Sequence, residues 1–161
     1  MRSAKISGAP TREDEARMIL VEQLPSAAPA AGSLPDLLVL TWEERAKTHQ
    51  RVTTQAGREI GIKLPTGTQL LPGTVLHVGD GFHVEVAAAC EDVWLVQTAD
   101  VRALLRVAYE IGNRHFPIDI GNDTVAVLYD HTLAELWDRL GIDAHRVRQP
   151  FLSVQRPSHH H

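Results

Sequence analysis

Between Asp36 and about Ala89, hydrophobic and polar residues alternate with a period of two, which is the spacing of β-strands that bury one face. Glycine-bearing turns at Gln55-Ala56-Gly57 and Gly79-Asp80-Gly81 divide this stretch into two predicted hairpins. The predicted strands cover residues 37–41, 51–54, 58–64, 75–78 and 82–88. The pattern indicates a small all-β domain. Its histidines lie on outer faces or in polar surroundings, and we expect them to be solvated: His49, His77 and His83.

From Asp92 the spacing changes and includes two amphipathic helices. Strands are predicted over residues 93–98, 116–120, 124–129 and 142–148. Asp100 is a suitable N-cap for the first helix, and we expect Gly112 to end it at the C′ position. The apolar positions of that helix are Val101, Leu104, Leu105, Ala108 and Ile111. The second helix includes residues 133–140 and ends at Gly141; either Asp130 or a Thr132–Glu135 capping box can begin it. The order β-α-β-β-α-β is the split βαβ, or ferredoxin-like, plan.

These patterns predict an α+β chain with two small domains. Residues 18–91 form the N-terminal β domain, which includes an Ala/Pro-rich loop over residues 25–35, and residues 92–150 form the ferredoxin-like domain. Residues 1–17 show no periodicity and are predicted to be a disordered extension, with Met1 and Met18 both open as the start. Residues 151–161 are predicted to be a flexible tail. That tail ends in His159, His160 and His161, which are either native metal ligands or an expression tag.

Composition removes several classes of function. The 161 residues carry 16 Lys and Arg against 20 Asp and Glu, and this net charge of −4 argues against nucleic-acid binding. No apolar run approaches the roughly 20 residues that span a bilayer, and no secretory signal is evident, so we expect a cytoplasmic protein without a membrane partner. Cys90, the single cysteine, excludes an internal disulfide, and its alanine neighbours predict a buried side chain.

The segment with the most chemical information is Gly112-Asn113-Arg114-His115-Phe116-Pro117, at a helix-to-strand junction. Phosphate-binding loops, HExxH and a serine nucleophile elbow are all absent from the sequence, so we do not expect an enzyme. Two interpretations of His115 remain open. It is either a loop histidine bonded to a backbone carbonyl, or a metal ligand that a two-fold dimer presents twice. Two imidazoles would suit Ni²⁺, Cu²⁺ or Zn²⁺. Arg114 is expected to order the loop or interface rather than to contact the metal, because a guanidinium repels a cation.

Gly112-Asn113-Arg114-His115 resembles the signature of the nickel-binding urease accessory proteins of the UreE family. The resemblance extends over most of the chain. The N-terminal segments Leu40-Thr41-Trp42-Glu43-Glu44-Arg45, Gly57-Arg58-Glu59 and Leu64-Pro65-Thr66-Gly67 follow the family in order, as do Tyr109 to His115 and Asp130-His131 to Gly141.

The resemblance implies an N-terminal domain of the peptide-binding kind and a metal-binding, dimerising C-terminal domain. It further implies a metallochaperone that delivers Ni²⁺, as cargo, to the urease maturation complex through the accessory GTPase of that system. His115 from each protomer would be the central ligand, and the tail histidines would add others. The family's His-x-His is here Tyr129-Asp130-His131, so His131 is either an auxiliary ligand or a helix-start residue near Asp130.

Two other functions remain open at this point. The chain could be a peptide-binding adaptor of the urease assembly complex, with metal binding at His115 incidental. A hydrolytic metalloenzyme is the third interpretation, for which Glu110 is the nearest candidate base.

Overall fold

The computed structural model describes residues 18–153, which form a mixed α+β fold. The predicted extension over residues 1–17 lies outside the described residues, and so do residues 154–161 with the three terminal histidines. No helix in the described part is long and apolar enough to cross a membrane.

The N-terminal part of the fold is built from two three-stranded sheets. The strands are β1 (Ile19–Val21), β2 (Leu34–Leu40), β3 (His49–Thr53), β4 (Glu59–Lys63), β5 (Val75–Val78) and β6 (Phe82–Ala88). The strand orders of the two sheets are β1-β4-β3 and β2-β6-β5, and each sheet contains one parallel pair and one of the predicted antiparallel hairpins. Their inward apolar side chains form one core, which includes Leu38, Ile60 and Val84. Both predicted hairpins are therefore confirmed.

A short helix that the alternation did not predict interrupts this β-rich part. Helix α1 (Trp42–Ala46) begins at Thr41, whose side-chain oxygen accepts from the Glu44 backbone N–H, while the Glu44 carboxylate accepts from the Thr41 backbone N–H at 2.8 Å. This reciprocal pair is a capping box. Five residues are too few for a helical period to become visible in the hydrophobic pattern.

Two predictions about burial in this region are wrong. His83 is buried, because the loop that precedes β2 covers the outer face of β6 and places the Ser33 hydroxyl 2.9 Å from the His83 Nδ1. Cys90 is exposed, because it is the first residue of the next strand rather than part of the alanine-rich β6.

The C-terminal part is a four-stranded antiparallel sheet with two helices. Its strand order is β10-β7-β9-β8, which is the order of the split βαβ plan, so the predicted ferredoxin-like topology is confirmed. The elements are β7 (Cys90–Gln97), α2 (Val101–Gly112), β8 (Ile118–Ile120), β9 (Thr124–Leu128), a 3₁₀ turn (His131–Leu133), α3 (Ala134–Leu140) and β10 (Ala144–Pro150). Asp100 caps α2 as predicted, and Gly141 ends α3 with a left-handed φ of 64°.

The two parts meet on the face of this sheet that lies away from its core with α2 and α3. Trp42 of α1 and Phe151 form edge-to-face aromatic contacts over Val93 and Ala126, with ring centroids 5.7 Å apart. The indole N–H of Trp42 donates to the Ser153 carbonyl at 2.9 Å, and the buried Arg45 guanidinium donates to the Phe151 carbonyl. The prediction that the flexible tail starts at Phe151 is therefore wrong for residues 151–153, because these contacts bury Phe151 and Ser153.

Candidate metal centre

The GNRH segment forms a turn at the end of α2 whose backbone differs from the prediction. The helix continues through Gly112, and Asn113 is still right-handed with φ −61°. The left-handed residue is His115, with φ 59°, the one residue other than glycine with a positive φ among residues 18–153. Gly112 therefore does not occupy the C′ position, and His115 adopts the conformation that glycine usually supplies.

His115 presents its ring to solvent at this turn. Its backbone N–H donates to the Gly112 carbonyl at 2.9 Å, and the residue is exposed. None of the hydrogen bonds between described residues involves the imidazole, so nothing among residues 18–153 supports the interpretation of a loop histidine bonded to a backbone carbonyl. The residue is exposed, and a neutral imidazole is a good ligand for Ni²⁺, Cu²⁺ and Zn²⁺.

Arg114 points back along α2 rather than outward with His115. Its Nη1 lies 2.6 Å from the Glu110 carbonyl oxygen and 2.8 Å from Glu110 Oε2. A second guanidinium, from Arg139 of α3, lies 3.5 Å from the same carboxylate oxygen. These contacts agree with the prediction that Arg114 orders the loop or interface, since its donor is directed into the helix end.

The same contacts bear on the metalloenzyme interpretation. The hydrogen bond from Arg114 and the positive charges of Arg114, Arg139 and Arg106 hold the pKa of Glu110 below its ordinary value, and they outweigh partial desolvation. A general base that works near neutral pH needs a raised carboxylate pKa. Glu110 has the opposite shift, and its carboxylate is occupied by two arginines.

His131 lies at the start of the 3₁₀ turn and is 88% exposed at its side chain. Asp130 is the cap of this turn, because its Oδ1 accepts from the Thr132 backbone N–H at 2.8 Å and from the Thr132 hydroxyl at 2.6 Å. The alternative capping box through Thr132 and Glu135 is not the one observed. The His131 Nδ1 lies 3.8 Å from the Asp130 carboxylate, which agrees with the helix-start interpretation, and the exposed ring leaves the auxiliary-ligand interpretation open.

The described residues do not complete a ligand set within one protomer. Among residues 18–153, no group of three or more His, Cys, Asp or Glu side chains could hold a metal ion. His115 is thus an exposed candidate ligand that belongs to no such group, and His159, His160 and His161 lie outside the described residues.

Sequence reasoning missed an apolar stripe on α2. Val101, Leu105 and Tyr109 are 64%, 64% and 67% exposed, while Val107 and Ile111 are buried against the sheet. The stripe follows from spacing, because residues four apart lie on one side of a helix. The prediction placed Val101 and Leu105 in one apolar set with Ile111, whereas the structure exposes the first two and buries the third. Their i, i+4 relation to Tyr109 was the signal that could have separated the two faces.

Comparison with known families agrees with this architecture. A family model described as UreE urease accessory protein, N-terminal domain, matches residues 20–89. A second, described as UreE urease accessory protein, C-terminal domain, matches residues 91–161. The chain belongs to the UreE family. UreE proteins are accessory chaperones of urease maturation rather than enzymes, and the family is known for metal binding.

Individual relatives give the same result. The chain is 41% identical over 138 residues to the urease accessory protein UreE of Cupriavidus necator, covering 83% of this chain and 72% of that protein. It is 40% identical over 134 residues to the protein of the same name from Alkalilimnicola ehrlichii, covering 83% and 80%. The corresponding protein of Burkholderia thailandensis is 41% identical over 114 residues, which cover 71% of this chain and 54% of the relative.

Proposed function

We propose that the protein is a cytoplasmic nickel carrier that works as a homodimer. It binds Ni²⁺ between the His115 imidazoles of two protomers and delivers it, through the accessory GTPase, to the urease apoprotein complex. The observation that carries this proposal is the exposed His115 ring on its left-handed turn, within the part of the chain that matches the family's C-terminal domain.

The exposed stripe of α2 supports pairing of two protomers. Val101, Leu105 and Tyr109 form an apolar surface that runs along the helix towards the turn that holds His115. A two-fold interface uses the same surface of both copies, so an interface on this stripe would bring the two turns near the axis. One imidazole is a poor site for a divalent cation, and a symmetric pair doubles the number of nitrogen ligands.

The position of Ser153 supports a contribution from the tail. The Leu152 backbone N–H donates to Asp119 Oδ2 at 3.0 Å, and Asp119 lies four residues after His115. From Ser153 to His159 the chain has six residues, which span at most about 20 Å when extended. We therefore propose His159, His160 and His161 as further ligands near His115, acting at high effective concentration because they are tethered. His131 is proposed as an auxiliary ligand at a separate position.

Imidazole ligands suit a carrier better than a closed thiolate cage would. Imidazole is a ligand of borderline softness that suits Ni²⁺, and a small number of imidazoles leaves coordination positions of the metal open for exchange with a partner. The same donors bind Cu²⁺ at least as strongly by the Irving–Williams order, and Zn²⁺ also binds, so selectivity for nickel would come from availability and from the partner.

The test is bound nickel per chain, measured by equilibrium dialysis and elemental analysis at neutral pH. Four proteins are compared: the full chain, the chain truncated after Pro157, and the His115→Ala variant of each. A two-fold site predicts about one nickel per two truncated chains, with loss of that nickel in the variant. His131→Ala is the matched control, because it removes an exposed imidazole from the same domain but is expected to retain this ion.

The other outcomes separate the alternatives. Nickel that survives His115→Ala in the truncated chain would refute His115 as the principal ligand. A His115→Ala protein that still supported urease activation at limiting nickel would favour the peptide-binding adaptor instead.

A further inference from the structure

The left-handed conformation of His115 requires an explanation, since side chains with a Cβ rarely adopt it. Such residues persist where surrounding contacts determine the backbone more strongly than local preference does. The candidates for these contacts are the hydrogen bonds at the end of α2, just before His115.

The hydrogen bonds to the last carbonyls of α2 are unusual, because one of these carbonyls accepts from a side chain instead of a backbone N–H. In a regular helix the Arg114 N–H would donate to the Glu110 carbonyl, four residues earlier. Here the Arg114 N–H donates to the Ile111 carbonyl at 3.0 Å, which tightens the turn. The Glu110 carbonyl receives the Arg114 guanidinium instead, at 2.6 Å. The side chain of Arg114 thus replaces its own backbone N–H as the donor at the helix end.

The Nη1 of Arg114 also donates to Oε2 of the Glu110 carboxylate, at 2.8 Å. Arg139 extends this contact to α3, with Nη2 at 3.5 Å from Glu110 Oε2. Arg114 and Glu110 side chains are each about one third exposed or less (33% and 27%), so the pair is partly shielded from solvent. The contacts join the backbone of the turn, the end of α2 and α3.

We propose that Arg114 is a positioning residue for His115: its side-chain cap at Glu110 holds the turn in the geometry that gives His115 its left-handed backbone and directs the ring outward. The inference rests on the proposed role of His115 as a metal ligand. It also explains why a cation stands beside a cation site. The guanidinium is turned into the helix end and neutralised by Glu110, so it neither competes for the ring nor presents its charge to the metal.

The experiment measures Ni²⁺ affinity of full-length variants by calorimetry, with Cu²⁺ electron paramagnetic resonance as a second readout of imidazole coordination. Arg114→Gln is expected to weaken Ni²⁺ binding about 10- to 100-fold, the usual effect of losing a residue that orients a ligand. Arg114→Lys is expected to recover part of this loss, because it keeps the positive charge and one nitrogen donor but not the rigid guanidinium that positions that donor. Glu110→Gln is expected to fall between wild type and Arg114→Gln, because the backbone carbonyl remains as an acceptor.

Two comparisons separate positioning from general damage to the fold. Arg102→Gln removes an arginine from the opposite end of the same helix and is expected to leave affinity and the copper spectrum unchanged. In a His115→Ala background, Arg114→Gln is expected to cause no further loss of the residual binding. Wild-type affinity and spectrum in Arg114→Gln would overturn the inference, and so would an equal loss in the His115→Ala background. Wild-type binding by His115→Ala alone would instead overturn the proposed function.

Discussion

The left-handed backbone at His115 predicts an inverted preference between alanine and glycine at this position. At ordinary exposed positions alanine is more stabilising than glycine by about 0.5–1 kcal/mol, because glycine loses more conformational freedom on folding. At φ 59° the order reverses, since a Cβ costs about 1–2 kcal/mol in the left-handed region. The midpoints of these two ranges predict that His115→Gly is more stable than His115→Ala by about 0.75 kcal/mol.

Asn113 supplies the matched control. It is exposed, lies in the same turn and has a right-handed φ of −61°. Asn113→Ala is therefore expected to be more stable than Asn113→Gly, the opposite order from position 115. All four variants keep Arg114 and Glu110, so the contacts of the turn differ only at the substituted residue.

The assay is urea unfolding of the full chain with a metal chelator present, so that metal binding does not add to stability. A difference of 1 kcal/mol corresponds to about 2–4 °C in melting temperature for a chain of this size, which thermal unfolding can check independently. The same sign of the alanine–glycine difference at both positions would refute the assignment of strain to His115.

Two further predictions concern the rest of the fold. Trp42→Phe keeps the aromatic contact with Phe151 but removes the indole donor to the Ser153 carbonyl, so we expect the free energy of unfolding in urea to fall by about 1–2 kcal/mol. Trp94→Phe is the control, because it removes an indole donor that is less buried. Equal losses in the two variants would contradict the larger contribution expected of the buried hydrogen bond of Trp42. Burial raises the pKa of Asp36, but hydrogen bonds from Thr54, Arg58 and the Ala56 backbone N–H and the charge of Arg58 outweigh it and hold the pKa below its ordinary value. A depressed folded-state pKa stabilises the protein above the unfolded value, and this stability is lost as the pH falls through the folded value. Unfolding midpoints measured from pH 7 to pH 3 should therefore fall less steeply in Asp36→Asn, and parallel curves would contradict this.

The parts of the fold that the sequence predicted are those that local patterns encode. Alternation of apolar residues identified both hairpins, and the Asp100 cap with a helical period identified α2, because each depends on residues close together in the chain. The contacts of Trp42 with Ser153 join residues 111 positions apart, and no local period reports them. The burial of His83 has the same cause, since its partner Ser33 lies 50 positions earlier.

Local sequence patterns also fail to predict the backbone of the candidate site, although the contacts that matter there join residues closer together in the chain. Residue types and spacing made His115 a candidate, and the family resemblance made it the proposed metal ligand, whereas helix-end preferences favoured Gly112 as the left-handed position. We infer that the left-handed position depends on which donor reaches the Glu110 carbonyl, and this donor is the Arg114 guanidinium, whose partner Glu110 also contacts Arg139 of α3. Local preference favours glycine, and these contacts outweigh it.

This arrangement would reconcile two demands on the proposed carrier, which has to bind the ion tightly and also release it. A closed shell of ligands binds tightly but exchanges slowly, whereas a mobile exposed imidazole exchanges easily but loses entropy when it binds. At His115 the backbone is fixed by contacts directed into the protein, while the ring has no hydrogen-bond partner among the described residues. Affinity would then come from rigid placement of a few ligands rather than from enclosing the ion. An incoming partner could approach the metal without first opening the fold.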